Sequence, residues 1–374
     1  MTRTIAVVNS SGRQAASLIR VASAVGYRVR AQLRNLEGIV AQEIAALPNV
    51  SVFVGELAPR ADKGRVNTAL IRELFQGAQV AFINTTFWGD EVAIGIALAD
   101  AAKEAHIQHY IYSSMPDHTA HSPAWPSLPL WASKARVESY IRTLALPATF
   151  VDTGIYNNNF TSLPYPLFCM ALQPDGSFTW RAPFHPDAPL PWLDAEHDVG
   201  PAVLQLLKNG PPAPSQPPAR VALAYERLSP REACRAFSRA LRRPVRYERG
   251  PIEIAVSIPI GYARQLRALE QLFSLGGPDA DSQPPYFGDS QLEESVPAVA
   301  MGLWEGYRGL EEYAREVFPL EEAANGLTWM HEPVPGVQGR VERGMGDEVE
   351  SDGDGEEEEE GLMMGKRRQE EWLA

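Results

Sequence analysis

Ile5-Ala6-Val7-Val8-Asn9-Ser10-Ser11-Gly12-Arg13-Gln14-Ala15-Ala16 reads as a short apolar strand, a polar turn and the first residues of a helix. A turn of this kind opens a nucleotide-binding α/β unit, because exposed backbone N–H groups and the helix macrodipole favour a pyrophosphate there. Its glycine pattern is incomplete: the G-x-x-G-x-x-G of related folds reads Asn9, Gly12, Ala15. Asn tolerates a left-handed backbone and Ala still permits close helix–sheet packing, so dinucleotide binding is the expectation. A packing turn in a non-binding fold is the competing reading.

Working outward, strand and helix patterns alternate regularly from Met1 to about Tyr156. Short apolar runs at 4–8, 28–33, 50–54, 80–84, 109–113 and 148–151 predict buried parallel strands. Helical periodicity falls at 13–25, 36–47, 67–75, 91–105 and 130–144, with Gly26 and Gly77 as stops, and the polar stretch 58–65 predicts an exposed loop. The expected fold class is α/β, a Rossmann-type doubly wound parallel sheet with a smaller mixed α/β C-terminal domain. The expected divisions are 1–156, 157–330, with exchange of elements between these two allowed, and an acidic disordered tail, 331–374.

In such a sheet the ligand crevice lies beyond the carboxyl ends of the strands. That rule gathers Asn9, Ser10, Ser11, Gly12, Arg13 and Gln14 with Arg34, Asn35, Thr85, Thr86 and Phe87. Ser113 and Ser114 join them, as do Tyr156, Asn157, Asn158 and Asn159. Arg34 stands where an Asp or Glu would select NAD, and a guanidinium there accepts a 2′-phosphate, so NADP should be admitted without excluding NAD.

Reduction of a carbonyl by such a fold needs a proton donor, typically a tyrosine one helical turn before a lysine. None of the 12 tyrosines is followed four residues later by lysine. Lys134, one of five lysines beside 29 arginines, has Leu130 in the donor position. Lys134 remains able to bond a nicotinamide ribose. The expectation is binding without turnover, with no catalytic residue; Tyr112 or Asp117 is the rearranged donor that an NADPH-dependent reductase would require.

The second half carries its own signals. Ser229-Pro230-Arg231-Glu232 predicts a capping box, and further helices are expected over 194–209, 261–275 and 296–318, with Pro201 in the first turn of the earliest and Gly210 ending it. Asp194, Glu196 and Asp198 crowd the start of that first helix, either as cap and dipole complements or as an acidic patch for a basic partner.

The formal charge is −13, but residues 331–374 hold 14 acidic and 5 basic residues, leaving −4 for the remainder. The run DEVESDGDGEEEEE at 347–360 predicts disorder. No apolar run suits a membrane span and no secretory leader is legible, so an intracellular protein is expected. Cys169 and Cys234 are isolated, and neither they nor the seven histidines show metal-ligand spacing.

The stretches TIAVVNSSGRQAASLIR (4–20), QHYIYSSMPDH (108–118), GIYNNNF (154–160), PWLDAEHDVG (191–200) and EYAREVFP (312–319) resemble the NmrA-like family of fungal nitrogen metabolite repression regulators. The resemblance runs from Thr4 to about Met330. It implies an atypical member of the short-chain dehydrogenase/reductase superfamily without activity, binding NAD and NADP with oxidised forms favoured. It further implies a regulator of nitrogen-utilisation genes in nucleus and cytoplasm that restrains a GATA-type zinc-finger activator without touching nucleic acid or membrane itself. By the same resemblance 9–14, Arg34, 85–87, Lys134 and 156–159 line the cofactor site. The acidic patch, extended by Gln205 and Leu207, would face the zinc finger. Arg34 replaces the histidine of those regulators, and the acidic tail has no counterpart among them.

Overall fold

Ile5 and Val7 project to one face of the first strand and Ala6 and Val8 to the other, and all four are buried, as a strand covered by helices on both sides requires. The computed structural model describes residues 3–58, 65–87, 89–213, 215–216, 218–275, 277 and 282–331.

The first half runs β1 (Thr4–Val7), α1 (Arg13–Ala24), β2 (Arg28–Leu33), α2 (Ile39–Ala46), β3 (Val50–Val54), α3 (Thr68–Phe75), β4 (Val80–Ile83), α4 (Glu91–Glu104), β5 (His109–Ser114), α5 (Pro129–Thr143) and β6 (Ala148–Thr153). The second half adds β7 (Ile155–Tyr156), β8 (Met170–Leu172), β9 (Phe178–Ala182), β10 (Leu190–Leu193), α6 (Ala195–Asn209), β11 (Ala219–Leu223), β12 (Glu226–Leu228), α7 (Pro230–Leu241) and β13 (Val245–Arg249). Helices α8 (Ile260–Phe273), α9 (Ser290–Glu294), α10 (Ala298–Leu303), α11 (Leu310–Glu316) and α12 (Phe318–Ala324) close it.

The principal sheet has seven strands in the order β11-β6-β5-β4-β1-β2-β3, all parallel. The chain reverses direction across the sheet between β1 and β4, which is where an open α/β sheet leaves its ligand crevice. Two three-stranded sheets, β12-β10-β7 and β13-β9-β8, build the smaller part. One apolar core lies under α1 and α6, a second under α3, α4 and α5, and a third packs the small sheets against α7, α8 and α11.

Six expected strands and their helices are present, with three differences. Helix α2 starts at Ile39 rather than Leu36, because Gly38 occupies its N-cap and Leu36 is exposed. Strand β11 pairs with β6 over Ala219–Leu223 and α6 shares the α1 core, so elements from beyond 156 join the first sheet, the exchange that the sequence reading allowed. Pro201 lies in the second turn of α6, not the first, because Asp194 caps the helix well upstream. The expected helix over 296–318 is divided into α10, α11 and the start of α12, separated by a loop that holds Gly306 and Gly309. Gly26, Gly77 and Gly210 do end their helices at positive φ, and the capping box of Ser229 and Glu232 forms both of its bonds. The acidic tail and most of the 58–65 loop fall outside the described residues; Ala58 itself is buried.

Candidate functional site

Asn9 follows β1 with φ 57°, the left-handed conformation that the turn demands and that a glycine commonly supplies. Its N–H donates to Gln32 Oε1 at 3.1 Å, Ser10 N–H donates to Gln32 O at 3.0 Å, and Gln32 Nε2 donates to Gly55 O at 2.8 Å. Gln32, buried at the end of β2, therefore fixes the turn; nothing in the motif singled it out. Gly12 is the N-cap of α1 and offers no side-chain cap, so no N-cap side chain competes for the N–H groups of the first turn, a favourable setting for phosphate. Ser10 is fully buried with its hydroxyl on Val7 O, so it shapes the turn from beneath.

A narrow cleft of about 50 Å³ follows, lined by Asn9, Gln32, Arg34, Glu56, Leu57, Asn84, Thr85 and Thr86 among others. It places Arg34 beside the turn, as the strand-end position predicts. Asn35 is exposed, its side chain accepting from Glu37 N–H. A second cavity, about 260 Å³, shares Asn84–Thr86 with the first. It is reached by Gln14, Phe87, Ser113, Leu130, Lys134, Tyr156 and Asn159. The two clefts together give an elongated groove across the β1/β4 reversal, with Arg34 toward one end and Lys134 toward the other.

Lys134 Nζ donates to Thr85 O at 2.6 Å and lies 3.1 Å from Glu91 Oε1, both largely withdrawn from solvent. Thr85 Oγ1 in turn donates to Glu91 Oε1 at 2.8 Å and meets Tyr112 Oη at 3.0 Å, while Ser133 Oγ donates to Glu91 Oε2. Sequence reasoning missed Glu91, which simply follows the N-cap Asp90 of α4. Burial holds Tyr112 well above the usual phenol range, and it is fully enclosed. Asp117 is committed to capping a short turn through Thr119. Neither suits a proton donor. Ser114 Oγ donates to Glu138 Oε2 at 2.6 Å and is also buried, leaving Ser113 as the serine that lines the cavity. Leu130, four residues before Lys134, donates its backbone N–H to Gln265 Oε1 of α8 at 3.0 Å.

Tyr156 accepts a hydrogen bond from Gln14 Nε2 and is raised above the usual phenol range by burial. Of the three asparagines after it, Asn159 reaches the cavity. Asn157 and Asn158 are buried away from it, because the short helical turn 157–159 rotates them inward, where Asn158 Oδ1 accepts from Ala195 N–H at 2.9 Å.

The acidic group at the start of α6 does not form one surface patch. Asp194 is the N-cap, accepting from Glu196 and His197 N–H, and Arg308 lies 3.2 Å from its Oδ2. Asp198 is enclosed, accepts from Arg308 N–H and sits 2.6 Å from His197 Nδ1; burial lifts its pKa to about 6. Leu207 is fully buried against the α1 core. Helical geometry turns these three inward, so none of them is presented to a partner. Glu196, bonded to Arg13, and Gln205 remain accessible.

Among the described residues no cluster of His, Cys, Asp and Glu could hold a metal, both cysteines are free, and no helix is long and apolar enough to cross a membrane. The chain is 64% identical over 356 residues to the nitrogen metabolite repression protein nmr of Neurospora crassa, covering 90% of this chain and 73% of that one. It is 54% identical over 362 residues to nitrogen metabolite repression protein nmrA of Emericella nidulans, covering 88% and 98%. The crystal structure of NmrA, a negative transcriptional regulator, in complex with NAD matches with a TM-score of 0.81 at 57% identity, covering 88% of this chain and 99% of that one. Another crystal structure of that regulator holds NADP. The model of the NmrA-like family matches residues 1–314, and with these relatives it shows that this chain belongs to the NmrA-like family.

Proposed function

We propose that this chain is a dinucleotide-binding negative regulator of nitrogen-utilisation genes that binds NAD and NADP without turning them over and restrains a GATA-type zinc-finger activator. The observation that carries the absence of turnover is Leu130. A lysine stands at Lys134, but the position four residues before it is aliphatic, and Tyr112, the rearranged donor that the sequence offered, is sealed in the core. The groove supports binding: an uncapped α1 N-terminus for the pyrophosphate, Arg34 for the adenosine end and Lys134 with Tyr156 toward the nicotinamide end. Sensing of oxidised over reduced nucleotide and action in the nucleus belong to the same proposal.

For the partner surface, Glu196 and Gln205 replace the wider acidic patch, since they are accessible on the same helix. Calorimetry with NAD, NADH, NADP and NADPH, with and without a GATA finger, tests the whole reading. The expected result is binding of the oxidised forms, a 1:1 finger complex and no NADPH consumption. Negligible heat for all four nucleotides defeats the dinucleotide role, and steady NADPH oxidation with a carbonyl substrate reinstates a reductase.

A further inference from the structure

We infer that the large cavity holds a second ligand site beneath α8, for a small, neutral, planar aromatic molecule bearing a carbonyl or amide oxygen. The cavity of about 260 Å³ has two unlike ends. One carries Asn84, Thr85 and Lys134 and belongs to the proposed dinucleotide groove. The other is walled by Met115, Trp131, Phe184, Tyr262, Leu269 and Tyr286, apolar surface that a ribose or nicotinamide at the polar end does not need.

Such walls favour flat aromatic ligands through area burial and edge-to-face contacts; Trp131 and Tyr286 already meet edge-on, with ring centroids 5.1 Å apart. The charged side chains lining the cavity, Glu91 and Lys134, are paired with each other, so neither sign of ligand charge is favoured. Gln265 supplies the polar element. It is 2% exposed, lines the cavity, and spends its Oε1 on Leu130 N–H. Its Nε2 has no hydrogen-bond partner among the described residues. A buried amide donor without an acceptor carries an uncompensated desolvation cost, and a ligand oxygen would satisfy it. Leu130 keeps this wall aliphatic where a phenol would otherwise stand.

The probe is 2-acetylnaphthalene, titrated into the full chain by calorimetry and saturation-transfer NMR, first without nucleotide and then with saturating NADP. The expected Kd is on the order of 100 µM, reasonable for a ligand of this size. The anionic 2-naphthoate should bind at least tenfold more weakly. Leu269→Trp, which fills the chamber, should abolish probe binding. Gln265→Met, of similar volume, should weaken the ketone about fivefold and leave 2-ethylnaphthalene unchanged. This second variant decides the matter if Leu269→Trp melts early. Absence of probe binding to the wild type, equal binding of the carboxylate, or a ketone affinity that ignores Gln265→Met would each overturn the site. Loss of NADP binding with probe binding intact would instead count against the dinucleotide role alone.

Discussion

Asp152 on β6 shows how strongly burial governs single residues here. It is fully enclosed, and desolvation lifts its pKa from 3.8 to about 7, against the lowering effect of Arg220, whose Nε lies 3.5 Å away. A carboxyl whose folded pKa exceeds its unfolded value favours the native state while protonated. Its contribution is therefore present below about pH 4 and is lost as pH rises toward 7. Asp152→Asn, which imitates the protonated form, should gain on the wild type across that window by about 2–4 kcal/mol. Urea unfolding of both proteins at pH 4 and pH 8 checks this, and a constant stability difference would refute it. Arg34 is the second residue whose role can be isolated. Replacing it with Asp should weaken NADP binding about 10- to 100-fold, through loss of a charge-assisted bond to the 2′-phosphate, and spare NAD. Equal losses for the two nucleotides in calorimetry would show that Arg34 does not read the phosphate. Its strand-end position was legible in the sequence. The commitments of Lys134 to Glu91 and of Leu130 to Gln265 were not, because their partners lie 43 and 135 positions away in the chain.

Helix α6 carries the element-scale lesson. Its start is set by Asp194, which the sequence marks with an acidic cluster, yet the same cluster admits an exposed-patch reading. Burial separates the two readings: Asp194 and Asp198 hold Arg308 and the helix entrance, and Glu196 faces Arg13. The close approach of α6 to α1 depends on Gly200. A Cβ at that position would lie 2.3 Å from Ser17 O, and Gly200 N–H donates to Ser17 Oγ at 2.9 Å. Gly200→Ala should force the helices apart and cost about 1–3 kcal/mol, seen as a lower urea midpoint. A midpoint equal to the wild type would mean that the contact relaxes freely. By contrast, the capping box at Ser229 was legible outright, since its spacing is local. The division of 296–318 into three helices was hidden, because helical periodicity continues through glycines that tertiary packing turns into a loop.

At the scale of the whole molecule, the chain's second half serves two purposes at once. Strand β11 completes the first sheet and helix α6 covers it beside α1, while α8 roofs the larger of the two clefts, so the groove and the second fold unit form a single body. The surface on which a basic finger would dock is then limited to what α6 leaves outside. Glu196→Lys combined with Gln205→Lys should weaken binding of a GATA finger at least tenfold, chiefly through slower association, because rim charges act on the encounter. Surface plasmon resonance at two salt concentrations reads this directly. Unchanged association rates would move the docking surface elsewhere, and a nucleotide titration of the same variant shows whether releasing Arg13 disturbs the turn.

The sequence by itself determined the alternating α/β order, the strand–turn–helix at 5–16, the leucine four residues before Lys134 and the capping box. These are local or periodic features, set by residues a few positions apart. Only the tertiary structure decided which acids face solvent, that residues 219–223 close the first sheet, and that an aromatic chamber lies beside Leu130. Each of those depends on contacts across more than 60 positions of chain, where burial rather than spacing chooses the partner.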